Sequence, residues 1–272
     1  MKIGIFDSGF GGLDIMKGIV RKFPDYDYVY LGDTARTPYG NRSQEVIYEY
    51  TKSAVEFLFN NDCKLIILAC NTASAEALPK IQQEYLTKNF PDRRVLGVII
   101  PACEKAASVC KNNRLAVLAT ESSVNSNAFV REVEKLNPDM KIFQQAAPLL
   151  VPLVETWEKD EEILLPIVRK YIKPIVDRGP DSLILGCTHY GVLEKTIKKV
   201  IEEFGSEISI INESDVVAEK LAEYLKRHPE IEQNISKNKK TEFFSTDLTD
   251  RFQKIGSLLM EENISVKKAN LG

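Results

Sequence analysis

Two stretches, LIILACNTAS at 65–74 and LILGCTHYG at 183–191, run through unbroken aliphatics and then stop at a cysteine followed by small polar residues. A strand that is apolar at every position, rather than at alternate ones, belongs in the middle of a parallel sheet with both faces covered. Parallel strands cannot be joined by tight turns, so such a sheet also demands a crossover helix between successive strands. The chain supplies them. Runs rich in β-formers at 2–6, 28–32, 64–69, 94–100, 114–120, 182–186, 208–212 and 242–246 alternate with helix-period segments. In 214–227, for example, Val217, Leu221, Tyr224 and Leu225 recur at three- and four-residue spacing. The pattern specifies an α/β fold.

The layout also repeats. KIGIFDSG precedes the first cysteine motif at nearly the separation at which RLAVLATESS precedes the second. The expectation is two pseudo-symmetric α/β domains, each with a mainly parallel sheet flanked by helices, and an active site in the cleft between them. Residues 1–95 plus 209–272 would form the first, carrying Asp7 and Cys70, and residues 96–208 the second, carrying Glu155, Cys187 and His189. ISIIN at 208–212, the helix after it and EFFST at 242–246 would then return to the first domain. Segment 158–179 is helical in pattern but holds Pro166 and Pro174, which predicts a kinked or broken helix.

Composition narrows the function classes. A chain of 272 residues suits two domains of ordinary size. Its 36 Lys and Arg against 39 Asp and Glu leave a formal charge of -3, so no basic field would recruit nucleic acid or an anionic membrane. MKIGIFDSG lacks the apolar centre of a signal peptide, and no window approaches eighteen uninterrupted apolar residues; the expectation is a soluble, cytoplasmic protein with no membrane partner. Five cysteines without a C-x-x-C pair, and only two histidines, argue against a disulfide framework and against a metal site.

Ligands of open parallel sheets sit at the carboxyl ends of the strands, where helix N-termini point into a crevice. Cys70 and Cys187 both fall there. A thiol at a helix N-terminus has its thiolate favoured by the helix dipole, so both are expected to have lowered pKa values. One cysteine after an aliphatic run is ordinarily a small buried hydrophobe. The repetition, with Asn71-Thr72 and Thr188-His189 following, points instead to chemistry. Two thiols presented from two domains can flank one carbon: one removes a proton, the other delivers a proton to the opposite face, and configuration inverts without a cofactor. A carbon acid beside a carboxylate is weak, so the site must also stabilise charge and exclude water.

The motifs IGIFDSGFGGL, GDTARTPYG, ACNTASA, LATESSVNSNA, VPLVE and GCTHY, in that order from residue 3 to about 190, together resemble the cofactor-independent glutamate racemases of the aspartate/glutamate racemase superfamily. FFSTDLTDRFQKIG resembles the closing strand and helix of that family. The resemblance implies interconversion of L- and D-glutamate as the small-molecule substrate, no cofactor, a role in peptidoglycan synthesis and a homodimer. It implies that Cys187 deprotonates L-glutamate and Cys70 D-glutamate, with Asp7 beside the first thiol and Glu155 and His189 beside the second. Implied substrate contacts are Asp7, Ser8, Tyr39, Gly40, Asn71, Thr72, Thr120, Thr188 and His189.

Local roles compete with several of these assignments: Tyr39 as a turn residue after Pro38, Ser8 and Thr120 as caps, Asp7 as a strand end. The sequence departs from the family in Gly191-Val192, where many relatives have proline and leucine, and in INESDVV, which lacks a common glycine. The alternative within the superfamily is an aspartate racemase or another amino-acid racemase; that branch typically carries glutamate after Cys-Thr, where this chain has His189. Outside it, a phosphate loop at IFDSGFGG lacks the lysine and hydroxyl of G-x-x-x-x-G-K. A Cys-His hydrolase would need a triad within one turn, and an amino-acid binding protein has no use for thiols in its cleft.

Overall fold

The unbroken aliphatic runs form the centres of two parallel sheets in the computed structural model, which describes residues 1–271. In the first, β1 (Lys2–Asp7) lies between β2 (Tyr28–Gly32) and β3 (Cys63–Leu68), and β4 (Arg94–Gly97) adds to β3. In the second, β5 (Arg114–Ala119) lies between β6 (Lys141–Ala146) and β7 (Ser182–Gly186), and β8 (Ser209–Ile211) adds to β7. The orders β2-β1-β3-β4 and β6-β5-β7-β8 are the same, so the strands preceding Cys70 and Cys187 occupy equivalent places. The first sheet is extended beyond β2 by β9 (Thr241–Ser245) and β10 (Val266–Lys268). Every residue of β3 and β7 is buried, as their uniform apolarity requires.

Four sequence expectations are corrected. The segment at 208–212 does not return to the first domain: Leu183 pairs with Ile210 and Ile184 with Ile211, making β8 the edge of the second sheet. Three residues have little pattern of their own and take the edge to which the preceding helix Glu194–Glu203 delivers them. The return begins with helix Glu213–Arg227, which packs on helix Gly12–Lys22 of the first domain and also on helix Ile99–Val109 of the second. The run at 94–100 is a strand only to Gly97, because Ile99 already opens a helix. Strands β6 and β10 were not anticipated; both are sheet edges that are only partly buried, which blurs the alternation a strand is recognised by. Finally, Glu161–Val176 is one continuous helix through both prolines, so the expected break does not occur. Leu164, Val168, Tyr171, Ile172 and Ile175 bury one face of it, and that burial outweighs the two lost backbone donors.

One apolar cluster contains Ile5 and Ile67 from the first sheet together with Leu118 and Leu185 from the second, so the two domains share a core. Among the described residues no helix is long and apolar enough to cross a membrane.

Candidate active site

Strand β1 ends on Asp7, whose side chain is fully buried and whose Oδ2 accepts the N–H groups of Gly9 and Gly12, each at 3.1 Å. These bonds fold the Ser8–Gly11 loop back over the strand end. A Cβ on Gly12 would stand 2.6 Å from the Asp7 Cβ, so only glycine lets the backbone come so close. Burial pushes the Asp7 carboxyl up from its ordinary value, and the His189 charge with the two backbone donors offsets part of that rise.

Beside it, β3 delivers Cys70 to the N-cap of helix Asn71–Glu76, where its S–H donates to Ser8 Oγ at 3.5 Å. The lowered thiol expected from a helix terminus is overturned here. Burial first, and the negative charge of Asp7 second, push the Cys70 thiol up to about 12. A six-residue helix contributes too little field to offset the loss of water. Cys70 therefore holds its proton in this state.

The second side is built differently. Strand β7 delivers Cys187, and the one-turn helix Thr188–Gly191 carries Thr188 and His189. His189 Nε2 lies 2.5 Å from Oε1 of Glu155, the last residue of helix Leu150–Glu155, and Nδ1 lies 3.8 Å from the Cys187 sulfur. Burial alone would pull the imidazole down, but its hydrogen bonds to Cys187 and Glu155, and their charge, hold it well above its ordinary value. A cationic His189 donates from Nε2 to Glu155 and from Nδ1 towards Cys187, so a proton can pass between imidazole and sulfur. The first side thus stores protons, and the second has a route for moving them.

Hydrogen bonds cross from one domain to the other at several points, among them three at the site. Thr188 Oγ1 donates to Asp7 Oδ1 at 3.2 Å, the Thr72 and Thr120 hydroxyls meet at 3.0 Å, and the Ser122 N–H donates to the Gly40 carbonyl at 3.1 Å. Glycines again permit the approach: a Cβ on Gly9 would meet Glu155 Oε1 at 2.5 Å, and one on Gly11 would meet Thr188 Oγ1 at 2.8 Å. The charge of Cys187 acts on Cys70, and both residues are closed off from solvent at 5% and 7% exposure. Asp7, Thr188, His189, Glu155 and Cys187 form one chain of contacts, with Cys70 bonded to Ser8 and Thr72 to Thr120 as separate pairs.

Tyr39 is placed differently from the others. Its hydroxyl donates to the Asp33 carboxylate and its ring lies against Phe6 and Tyr50, so Tyr39 and Gly40 have only their backbone to offer a ligand. Thr120 does cap helix Glu121–Ser126, accepting from the Ser123 N–H at 3.2 Å. One residue of the site escaped the sequence: Glu213, whose Oε1 accepts from Asn71 Nδ2 at 2.6 Å. Nothing local in INESDVV marks that long-range contact.

Residues 3–221 match the family described as Asp/Glu/Hydantoin racemase. The chain belongs to that family. Among curated relatives of this racemase family, the glutamate racemase of Geobacter metallireducens is 38% identical over 94% of this chain and 91% of its own length. Among solved structures, a glutamate racemase isoform from Bacillus anthracis superimposes with a TM-score of 0.89 at 33% identity, covering 99% of this chain and 97% of its own. The glutamate racemase of Francisella tularensis, solved in complex with D-glutamate, gives 0.88 at 30% identity with the same coverage of 99% and 97%. Family membership fits two sheets in which a cysteine follows the equivalent central strand of each.

Proposed function

We propose that this protein interconverts L- and D-glutamate, with Cys70 and Cys187 as paired acid and base and no cofactor. The observation that carries the reading is the placement of the two cysteines at equivalent strand ends of two equivalent sheets, bridged by the Thr188 to Asp7 bond. Full-length similarity to glutamate racemases, one of them solved with D-glutamate, supports glutamate as the substrate.

With L-glutamate in the cleft, the Cys187 sulfur takes the α-proton and the electron pair stays on the α-carbon, delocalised into the adjacent carboxylate. The Cys70 S–H then gives its proton to the opposite face, forming the new C–H bond of D-glutamate and leaving a thiolate at Cys70. His189 and Glu155 manage the proton at Cys187, and Asp7 restores it at Cys70. The protonated Cys70 and the imidazole beside Cys187 suit this direction in the resting state. Hydroxyls of Ser8, Thr72, Thr120 and Thr188, the Asn71 amide and the backbone at Tyr39 and Gly40 supply neutral donors for two substrate carboxylates. Buried walls exclude the water that would quench the carbanion.

In this reading the protein works in the cytoplasm as a homodimer, and its D-glutamate enters peptidoglycan. The test is a racemisation assay with each enantiomer of glutamate and of aspartate, without added pyridoxal phosphate and with EDTA present. Glutamate turnover in both directions is expected. Preference for aspartate, or activity that returns only when metal or pyridoxal phosphate is added, would contradict the reading.

A further inference from the structure

Glu213 opens helix Glu213–Arg227, two residues after β8 ends the second sheet, where the chain crosses to the first domain. The crossing is pinned on both sides. Asn212 caps the helix by accepting the Ser214 N–H at 3.1 Å, and Ser214 Oγ donates to the Asp14 carbonyl of helix Gly12–Lys22 at 2.7 Å. From this point the Glu213 side chain runs inward, only 3% exposed, to its 2.6 Å bond with Asn71, the residue after Cys70. Both remaining heads of that pair, Asn71 Oδ1 and Glu213 Oε2, are buried without a hydrogen-bond partner.

The two orphaned oxygens belong to one bonded pair of residues, and if Glu213 is ionised both are acceptors, so neither can help the other. A proton on Oε2 changes that, since it creates a donor beside an amide carbonyl that lacks one. The titratable groups facing Glu213 are the Asp7 carboxyl from β1 and the Cys103 thiol from helix Ile99–Val109, with Asp14 on helix Gly12–Lys22 beside the crossing. None is a cation that would reward an anion there.

We propose that Glu213 works as an uncharged carboxylic acid whose O–H serves the Asn71 carbonyl, making it a positioning residue that fixes Asn71 beside Cys70. Its kinetic consequence rests on the racemase reading; its protonation does not. Because Glu213 stands on the crossing, the pair also ties the interdomain connection to the first thiol.

The test uses Glu213→Gln and Glu213→Met in the full chain. Glutamine offers an acceptor to Asn71 Nδ2 and a donor to Oδ1, whereas methionine fills the space with neither. Glu213→Gln is expected to stay within about threefold of wild-type kcat/KM and Glu213→Met to lose about tenfold or more. Denaturant midpoints of wild type and Glu213→Gln from pH 5.5 to 8.5 give a readout independent of activity. Burial and the Asp7 charge raise the Glu213 carboxyl well above the carboxylate range. Folding of the wild type then takes up a proton, and the associated stability, complete below about pH 4.3, is lost as pH rises towards the folded value. Glutamine has no such loss, so its midpoint should gain on wild type as pH rises. A difference that stays flat or reverses would overturn the neutral acid. Equal impairment of both variants, or wild-type kinetics in Glu213→Met, would overturn the positioning role. If Glu213→Met does not fold, the two Glu213→Gln measurements still decide. Wild type failing to racemise glutamate would refute the proposed function while leaving the midpoint trend as the test of the acid.

Discussion

Thr188 donates its hydroxyl to Oδ1 of Asp7 across 3.2 Å, so the residue following the second cysteine holds the carboxylate beside the first. Asp7 in turn raises the Cys70 thiol and feels the charge of His189. The two halves of the proposed acid and base machinery are therefore electrostatically one unit, and separating the domains would break it.

Thr188→Val tests that link. Valine keeps the shape and removes the donor, leaving a buried Asp7 oxygen unsatisfied at a cost of about 1–3 kcal/mol. The expected result is a lower denaturant midpoint together with about a tenfold or greater fall in kcat, both recovered in part by Thr188→Ser. Wild-type stability and turnover in Thr188→Val would show that the bond is incidental.

Flanking groups should act on one direction of proton transfer each. Replacing His189 by Asn removes the partner of Cys187 and should slow turnover by roughly 10²–10⁴-fold. Enantiomers have equal free energies, so kcat/KM must fall equally in both directions; the asymmetry appears only in isotope effects. α-Deuterated L-glutamate should show the larger increase in isotope effect for His189→Asn and Glu155→Gln, and α-deuterated D-glutamate for Asp7→Asn. Identical changes in both directions would dissolve the separate assignments.

The raised His189 value fixes the sign of a pH effect. A group that the fold holds protonated gives stability that is complete below its unfolded value of about pH 6.5 and is lost as pH rises through the folded value. The midpoint advantage of wild type over His189→Asn should thus shrink as pH is raised above that point. An advantage that grows with pH would mean that His189 is neutral in the folded protein.

Gly9→Ala is a small change with a placed consequence. The new methyl would stand 2.5 Å from Glu155 Oε1 and 3.3 Å from His189 Nε2, so the carboxylate must move off the imidazole. Overpacking of this kind costs about 1–3 kcal/mol. Turnover should fall with the fold intact by circular dichroism, and unchanged kinetics would show that the Glu155 contact is dispensable.

How much of this could be read from the sequence depended on whether a residue's role is written in its neighbours. β3 and β7 were legible because a strand buried on both faces must be apolar throughout, and the cysteines were legible because the motif occurs twice. β6 and β10 are edges, where partial exposure blurs the pattern, whereas 208–212 reads as a strand but nothing local says which sheet it joins, so the domain boundary near 209 was misplaced with β8. The Cys70 thiol was misjudged because burial and the Asp7 charge come from the tertiary fold, while only the helix terminus is local. Glu213 was invisible for the same reason: its partner Asn71 is 142 positions away.

The central claim is that Cys70 and Cys187 face opposite sides of one carbon, and the most direct measurement is inversion and α-deuterium exchange of each enantiomer in heavy water by Cys70→Ser and Cys187→Ser. Serine is nearly isosteric but a far weaker acid, so neither variant should racemise glutamate. Exchange without inversion, where it persists, should be confined to L-glutamate in Cys70→Ser and to D-glutamate in Cys187→Ser. Racemisation at the wild-type rate by either variant would show that these cysteines are not the paired acid and base.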